Sequence, residues 1–215
     1  MAQPGTLRLF TFRPARVGFD TLLRETLMPD LLGCPQLVDL HVGRQGPNET
    51  GARLVASVWE SREAMVAAVG DHFDPPAFHP EYLDETIDRK LEIVDLIGSL
   101  RFDALDAPMP NCIVRVARGR VQPGSLELYR DMVLEGACAD VRAGHGAAAL
   151  YLGGSSDERF VTLSIWRSWS ALERATGGDT RHPISTRNME QMIEWEVEHY
   201  EGVPNLERPR APVSA

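Results

Sequence analysis

Lysine is nearly missing from this 215-residue chain: Lys90 stands alone, and the other basic residues among the 22 are arginines. The arginines are scattered, as GC-rich coding would leave them, and form no cluster of the kind that recognises phosphate. Acidic residues outnumber basic ones, 31 to 22, for a net charge of -9. That balance argues against a nucleic-acid or anionic-membrane partner, which calls for a basic field. Cysteine is also scarce. Cys34, Cys112 and Cys138 are odd in number and none forms a Cys-x-x-Cys pair, so neither a disulfide framework nor a zinc site is signalled, no metal is expected, and reduced thiols in the cytoplasm are the default. No stretch approaches the ~18 apolar residues that span a bilayer. The opening MAQPGTLRLFTF lacks a basic region followed by a long apolar run, so no secretory signal is expected. Gly153-Gly154 and Gly177-Gly178 open no phosphate-binding helix.

What is present is ordinary globular material, 43% hydrophobic and 25% charged, arranged twice in one order. Leu7–Phe12 reads as a strand. Phe19, Leu22, Leu23, Thr26, Leu27 and Leu31 share one helical face, with Pro29 expected to kink or end the helix. Strands follow at 37–43 and 53–59, then a helix opened by Ser61 as N-cap, a loose stretch, a short helical run and a strand at 91–98. The second half repeats this with strands at 112–121, 147–153 and 160–166, helices from Leu126 and from Ser168, and a last strand at 195–200. Leu40-His41-Val42-Gly43 aligns with Leu150-Tyr151-Leu152-Gly153, Trp59-x-Ser61 with Trp166-x-Ser168, and His79-Pro80 with His182-Pro183.

Each half is therefore expected to be a ferredoxin-like βαββαβ unit. The units run over 6–102 and 112–202, joined by a proline-containing linker at 103–111 and followed by a flexible tail at 203–215. A unit of this plan leaves one sheet face bare. The expected class is α+β, with the two antiparallel sheets packed face to face as an intrachain barrel. Such a fused pseudo-dimer is complete as a monomer or pairs again as a homodimer.

The run Val58-Trp59-Glu60-Ser61-Arg62-Glu63-Ala64-Met65, and more loosely Ile165-Trp166-Arg167-Ser168-Trp169-Ser170-Ala171-Leu172, resembles the antibiotic biosynthesis monooxygenase superfamily of dimeric α/β barrels. The resemblance implies a small hydrophobic or aromatic ligand. The activity it implies is a monooxygenase without cofactor, acting on a polyketide-like compound. It also leaves open a haem or flat-ligand binding protein and a non-catalytic structural member. Against the pattern of the haem-degrading branch, the first strands carry no internal Asn, and Ala68 and Ala175 stand where a Trp or His would. Haem binding through one imidazole, His79 or His182, stays open.

The residues themselves suggest two candidate sites, the first being the paired His79-Pro80 and His182-Pro183, where each imidazole would precede a short helix as a ligand or base. Asp39 and His41, two apart on a strand, share a face, so the carboxylate can orient the imidazole as a base. Ser57 and Trp59 share a face of the next strand, and the matching second-half positions are Ala149, Tyr151, Ser164 and Trp166. His41 or His79 is the expected base. Trp59, Ser57, Tyr151, Trp166 and His182 are the expected ligand contacts. The charge is unequal too: residues 1–108 hold 10 basic and 17 acidic side chains against 12 and 14 in the remainder. That inequality points to the first half as the place of the site.

Overall fold

The computed structural model describes residues 5–46, 50–70, 84–102, 111–144, 147–182 and 189–203. The expected linker and tail lie outside these apart from Asn111 and Val203. Eight strands are present: β1 (Thr6–Pro14), β2 (Leu37–Arg44), β3 (Arg53–Trp59), β4 (Thr86–Arg101), β5 (Ile113–Val121), β6 (Ala147–Gly154), β7 (Arg159–Trp166) and β8 (Met192–Gly202). They close into one antiparallel barrel in the order β1-β3-β2-β8-β5-β7-β6-β4. Each half thus shows the ferredoxin-like order, β4-β1-β3-β2 and β8-β5-β7-β6. The α+β fold expected from the sequence is what forms. The two sheets also join edge to edge: β4 leaves β1 to pair with β6 through Leu96–Arg101, and β8 reaches β2 at Gly43 and Arg44.

Strand alternation divides the core into layers. Leu7, Leu9, Leu54, Ala56, Val58, Val114, Val116, Val161, Leu163 and Ile165 fill the barrel interior. The outward residues of the strands are covered by helices. Over the first half lies α1, a continuous run of Phe19–Leu22, a π-helical turn Leu23–Leu27 and Met28–Leu32. The wide turn directly precedes Pro29 and absorbs its missing N–H and its ring, so the helix continues to Leu32 instead of ending at the proline. Its buried Phe19, Leu23, Leu27, Met28 and Leu31 pack on Phe10, Phe12, Val55 and Trp59.

Helix α2 (Arg62–Val69) and its second-half counterpart α4 (Trp169–Thr176) both begin on an extended serine. Ser61 Oγ accepts from the Ala64 N–H and Ser168 Oγ from the Ala171 N–H, each at 3.2 Å. Helix α3 (Leu126–Arg142) covers the second half. The short helical run expected before 91 is strand from Thr86 onward, because β1 pairs with β4 down to Thr86. No described helix is long and apolar enough to cross a membrane.

Candidate functional site

Asp39 and His41 face the barrel interior. His41 is buried, and its Nε2 lies 3.4 Å from Asp39 Oδ2. The same carboxylate accepts a hydrogen bond from the Tyr151 hydroxyl, and Arg101 Nη2 stands 3.6 Å from it at the barrel's end. Burial alone would push the Asp39 carboxyl up. The His41 imidazole, the Tyr151 hydroxyl and the Arg101 guanidinium outweigh burial and hold it well below the usual carboxylate range. Burial, reinforced by the Asp39 charge, drives the Tyr151 phenol far above its ordinary value, so it acts as a donor.

Ser57 and Trp59 do not join this group. The β2–β3 ladder begins with Leu37 opposite Trp59, then slips by one residue so that Asp39 faces Val58 and His41 faces Ala56. An uninterrupted ladder would have set Asp39 opposite Ser57. The bulge turns Asp39 and His41 into the barrel, while Ser57 and Trp59 stay on the helix-covered face. There the Trp59 indole N–H donates to Ser57 Oγ at 2.9 Å, and Trp166 donates to Ser164 Oγ at the same distance.

The helix-covered faces of the two halves differ. In the second half a cavity of about 270 Å³ opens between α3 and the sheet. Its walls include Arg115, Ala117, Tyr129, Thr162, Ser164 and Trp166, with Trp195 beside them. The registers explain the asymmetry. Phe10 opposite Val55 in β1–β3 corresponds to Ala117 opposite Thr162 in β5–β7, and Phe12 opposite Arg53 corresponds to Gly119 opposite Phe160. Phe160 uses the space above Gly119, where any Cβ would come within 2.7 Å of its ring. Among the described residues no ring replaces that of Phe10 above Ala117, and Ala117 lines the cavity.

Arg115 is buried. Its Nε donates to the Thr180 carbonyl at 3.3 Å and its Nη2 to the His182 carbonyl at 2.8 Å. Burial pulls its pKa down to about 10, partly opposed by Tyr129, which leaves it a cation at neutral pH. Burial pushes Tyr129 up to about 12, against the pull of Thr162 and Arg115, so its hydroxyl, 3.5 Å from Thr162 Oγ1, stays protonated. The cavity therefore presents a cation, a neutral phenol and two hydroxyls on an otherwise apolar wall, with the Glu135 and Asp140 carboxylates of α3 also on its lining.

His182 stands outside this lining. Its ring centre lies 6.1 Å from that of Trp195, and the His199 Nε2 is directed to the Thr180 carbonyl at 3.1 Å. Burial and the Arg115 charge push His199 below its ordinary value. His79 lies outside the described residues. Haem does not fit the cavity: no described lining residue is a histidine, and about 270 Å³ falls just below the range of ligand clefts, about 300–1,000 Å³.

Neither Arg115 nor Tyr129 belongs to a local sequence motif. Laying the first strand of each half in register would have exposed both the Arg8–Arg115 equivalence and the exchange of Phe10 for Ala117.

No family model matches the chain, and no curated protein does. Solved structures do. A monooxygenase candidate from Lactobacillus acidophilus NCFM is 12% identical, with a TM-score of 0.65 and 94% of each chain covered. An anthrone oxidase-like protein is 17% identical, with a TM-score of 0.60 over 99% of this chain and 97% of that one. A ferredoxin-fold protein from Listeria monocytogenes, related to antibiotic biosynthesis monooxygenases, is 11% identical, with a TM-score of 0.53 over 93% and 95%. This chain thus shares its fold, over nearly its whole length, with solved structures that include a ferredoxin-fold protein related to antibiotic biosynthesis monooxygenases.

Proposed function

We propose that the second-half cavity binds a small, flat, electron-rich aromatic compound and that the protein promotes its oxygenation by dioxygen. The observation that carries this reading is the exchange of Phe10 for Ala117, which leaves space for a ring on the helix-covered face of the second half. The fold likeness to monooxygenase candidates and to an anthrone oxidase-like protein supports the reaction class.

Chemically, a phenol or anthrone-type substrate that loses a proton becomes electron-rich enough to reduce dioxygen itself. Arg115 then stabilises the substrate oxyanion in a desolvated setting. The neutral Tyr129 hydroxyl donates a hydrogen bond, and Trp166 forms an aromatic wall. Glu135 and Asp140 are the lining carboxylates able to accept the proton. Asp39 and His41 serve the barrel interior in this reading, since the sheet separates them from the cavity.

The test is oxygen uptake with a panel of anthrones, quinols and naphthols, in the parent protein and in Ala117→Phe. Uptake that disappears in Ala117→Phe supports the reading. Uptake unaffected by that change places the chemistry elsewhere. Binding of the panel without oxygen consumption leaves a binding protein for the same compounds.

A further inference from the structure

In the first half the guanidinium carbon of Arg8 lies 5.6 Å from the centre of the Phe10 ring. Arg115 is the counterpart of Arg8: Arg8 pairs with Ser57 and Ile93, Arg115 with Ser164 and His199. The counterpart of Phe10 is Ala117. The first half thus carries, as part of its own chain, an aromatic ring against an arginine at the place where the second half has open space. Flat guanidinium against an aromatic face is a favourable pairing, stronger when desolvated.

The second observation is charge. Buried Arg53 is met by Asp20 at 2.9 Å, and buried Arg118 by Glu92 and Glu198, each at 2.7 Å. Arg115, 2% exposed, has only the two backbone carbonyls as hydrogen-bond partners, with no carboxylate at ion-pair distance among the described residues. A buried cation without a counter-ion is costly. The nearby ionisable groups on neighbouring elements do not supply one: Tyr129 on α3 is held neutral, and His199 on β8 is disfavoured as a cation. Glu135 lies exposed on the rim, where water screens it, and the carbonyls of Thr180 and His182 take the hydrogen bonds of the Arg115 guanidinium.

We propose that the ligand of this cavity is an aromatic anion, an arene carboxylate or phenolate, whose ring takes the place that Phe10 fills in the first half and whose charged oxygen serves as the counter-ion of Arg115. This rests on the reading of the cavity as the binding site, and Arg115 becomes its specificity-determining residue.

The test compares 2-naphthoate with 2-naphthamide, a neutral compound of the same shape, by titration calorimetry on the full chain at pH 7.5. The expected result is naphthoate binding tighter by roughly tenfold to a hundredfold, the range of a charge-assisted hydrogen bond. Arg115→Gln should abolish that preference. Arg115→Lys should keep part of it, because it retains the charge but loses the flat face. Equal affinity for the two compounds in the parent protein overturns the proposal, as does a preference that survives in Arg115→Gln. If Arg115→Gln does not fold, the parent comparison and Arg115→Lys decide. Ala117→Phe separates the two levels of the argument: it should remove binding of both compounds. Failure of both to bind the parent, or binding untouched by Ala117→Phe, defeats the cavity reading itself.

Discussion

Tyr151 of β6 donates a hydrogen bond to the carboxylate of Asp39 on β2, a residue 112 positions earlier in the chain. These two strands stand on opposite sides of the ring of eight, so the bond crosses the barrel. Tyr151 is the counterpart of His41, and Ala149 that of Asp39, by the registers with β7 and β3. The bond thus joins the His41-equivalent position of the second half to Asp39 of the first, and the reciprocal pair, His41 and Ala149, cannot form it. Tyr151→Phe should cost about 1.5–3 kcal/mol of stability, the range for a hydrogen bond to a charged group. Urea denaturation of the parent and the variant measures it. A change below a few tenths of a kcal/mol would show that the contact contributes nothing.

The same carboxylate gives stability an acid dependence. Its folded-state pKa lies below its unfolded value, which is about 3.9 for an aspartate. The Asp39 contribution is then complete above about pH 4 and fades as the pH falls through and below that value. Asp39→Asn should lose stability at pH 7 but show a shallower decline than the parent between about pH 4 and pH 2.5. Parallel declines of the two proteins over that window would refute the assignment.

Much of this architecture was legible in the sequence because period and caps are local signals. The strand alternation of 53–59 and 160–166, the serine that starts the next helix in each half, and the Trp-x-Ser motif are all read within a few residues. What was not legible depends on register. The one-residue slip between Leu37 and Asp39 recurs between Ala147 and Ala149, and no composition signal announces it. It decides that Asp39 shares a face with Val58 and not with Ser57. The Tyr151–Asp39 contact needs the whole barrel to close before the two residues meet. The cavity likewise borders an exchange between halves, Phe10 for Ala117, that is seen only once both strands are laid in register.

The indole–serine pairs offer a controlled comparison. Trp59 and Trp166 donate to Ser57 and Ser164 with the same geometry, but only Ser164 borders the cavity. Ser57→Ala strands a buried N–H in a packed layer and should cost about 1–3 kcal/mol. Ser164→Ala should cost less, because water in the cavity can take over as acceptor. Equal losses in the two variants, measured by denaturant midpoint at constant slope, would count against a hydrated cavity beside Trp166.

Phe10 provides the complementary experiment. If its ring fills in the first half the space that the second half leaves open, Phe10→Ala should open a matching cavity. Truncating a buried phenylalanine costs about 3–5 kcal/mol, and apolar cavities of this kind take up small arenes. The variant should therefore be destabilised and should recover more stability from added toluene than the parent does, since in the parent the buried Phe10 ring occupies that space. A ligand that binds the folded form raises stability as its concentration exceeds its dissociation constant, so the recovery should grow with toluene concentration. Loss of stability without that recovery would mean that α1 collapses onto the gap, and the first half could then no longer be read as an occupied version of the second.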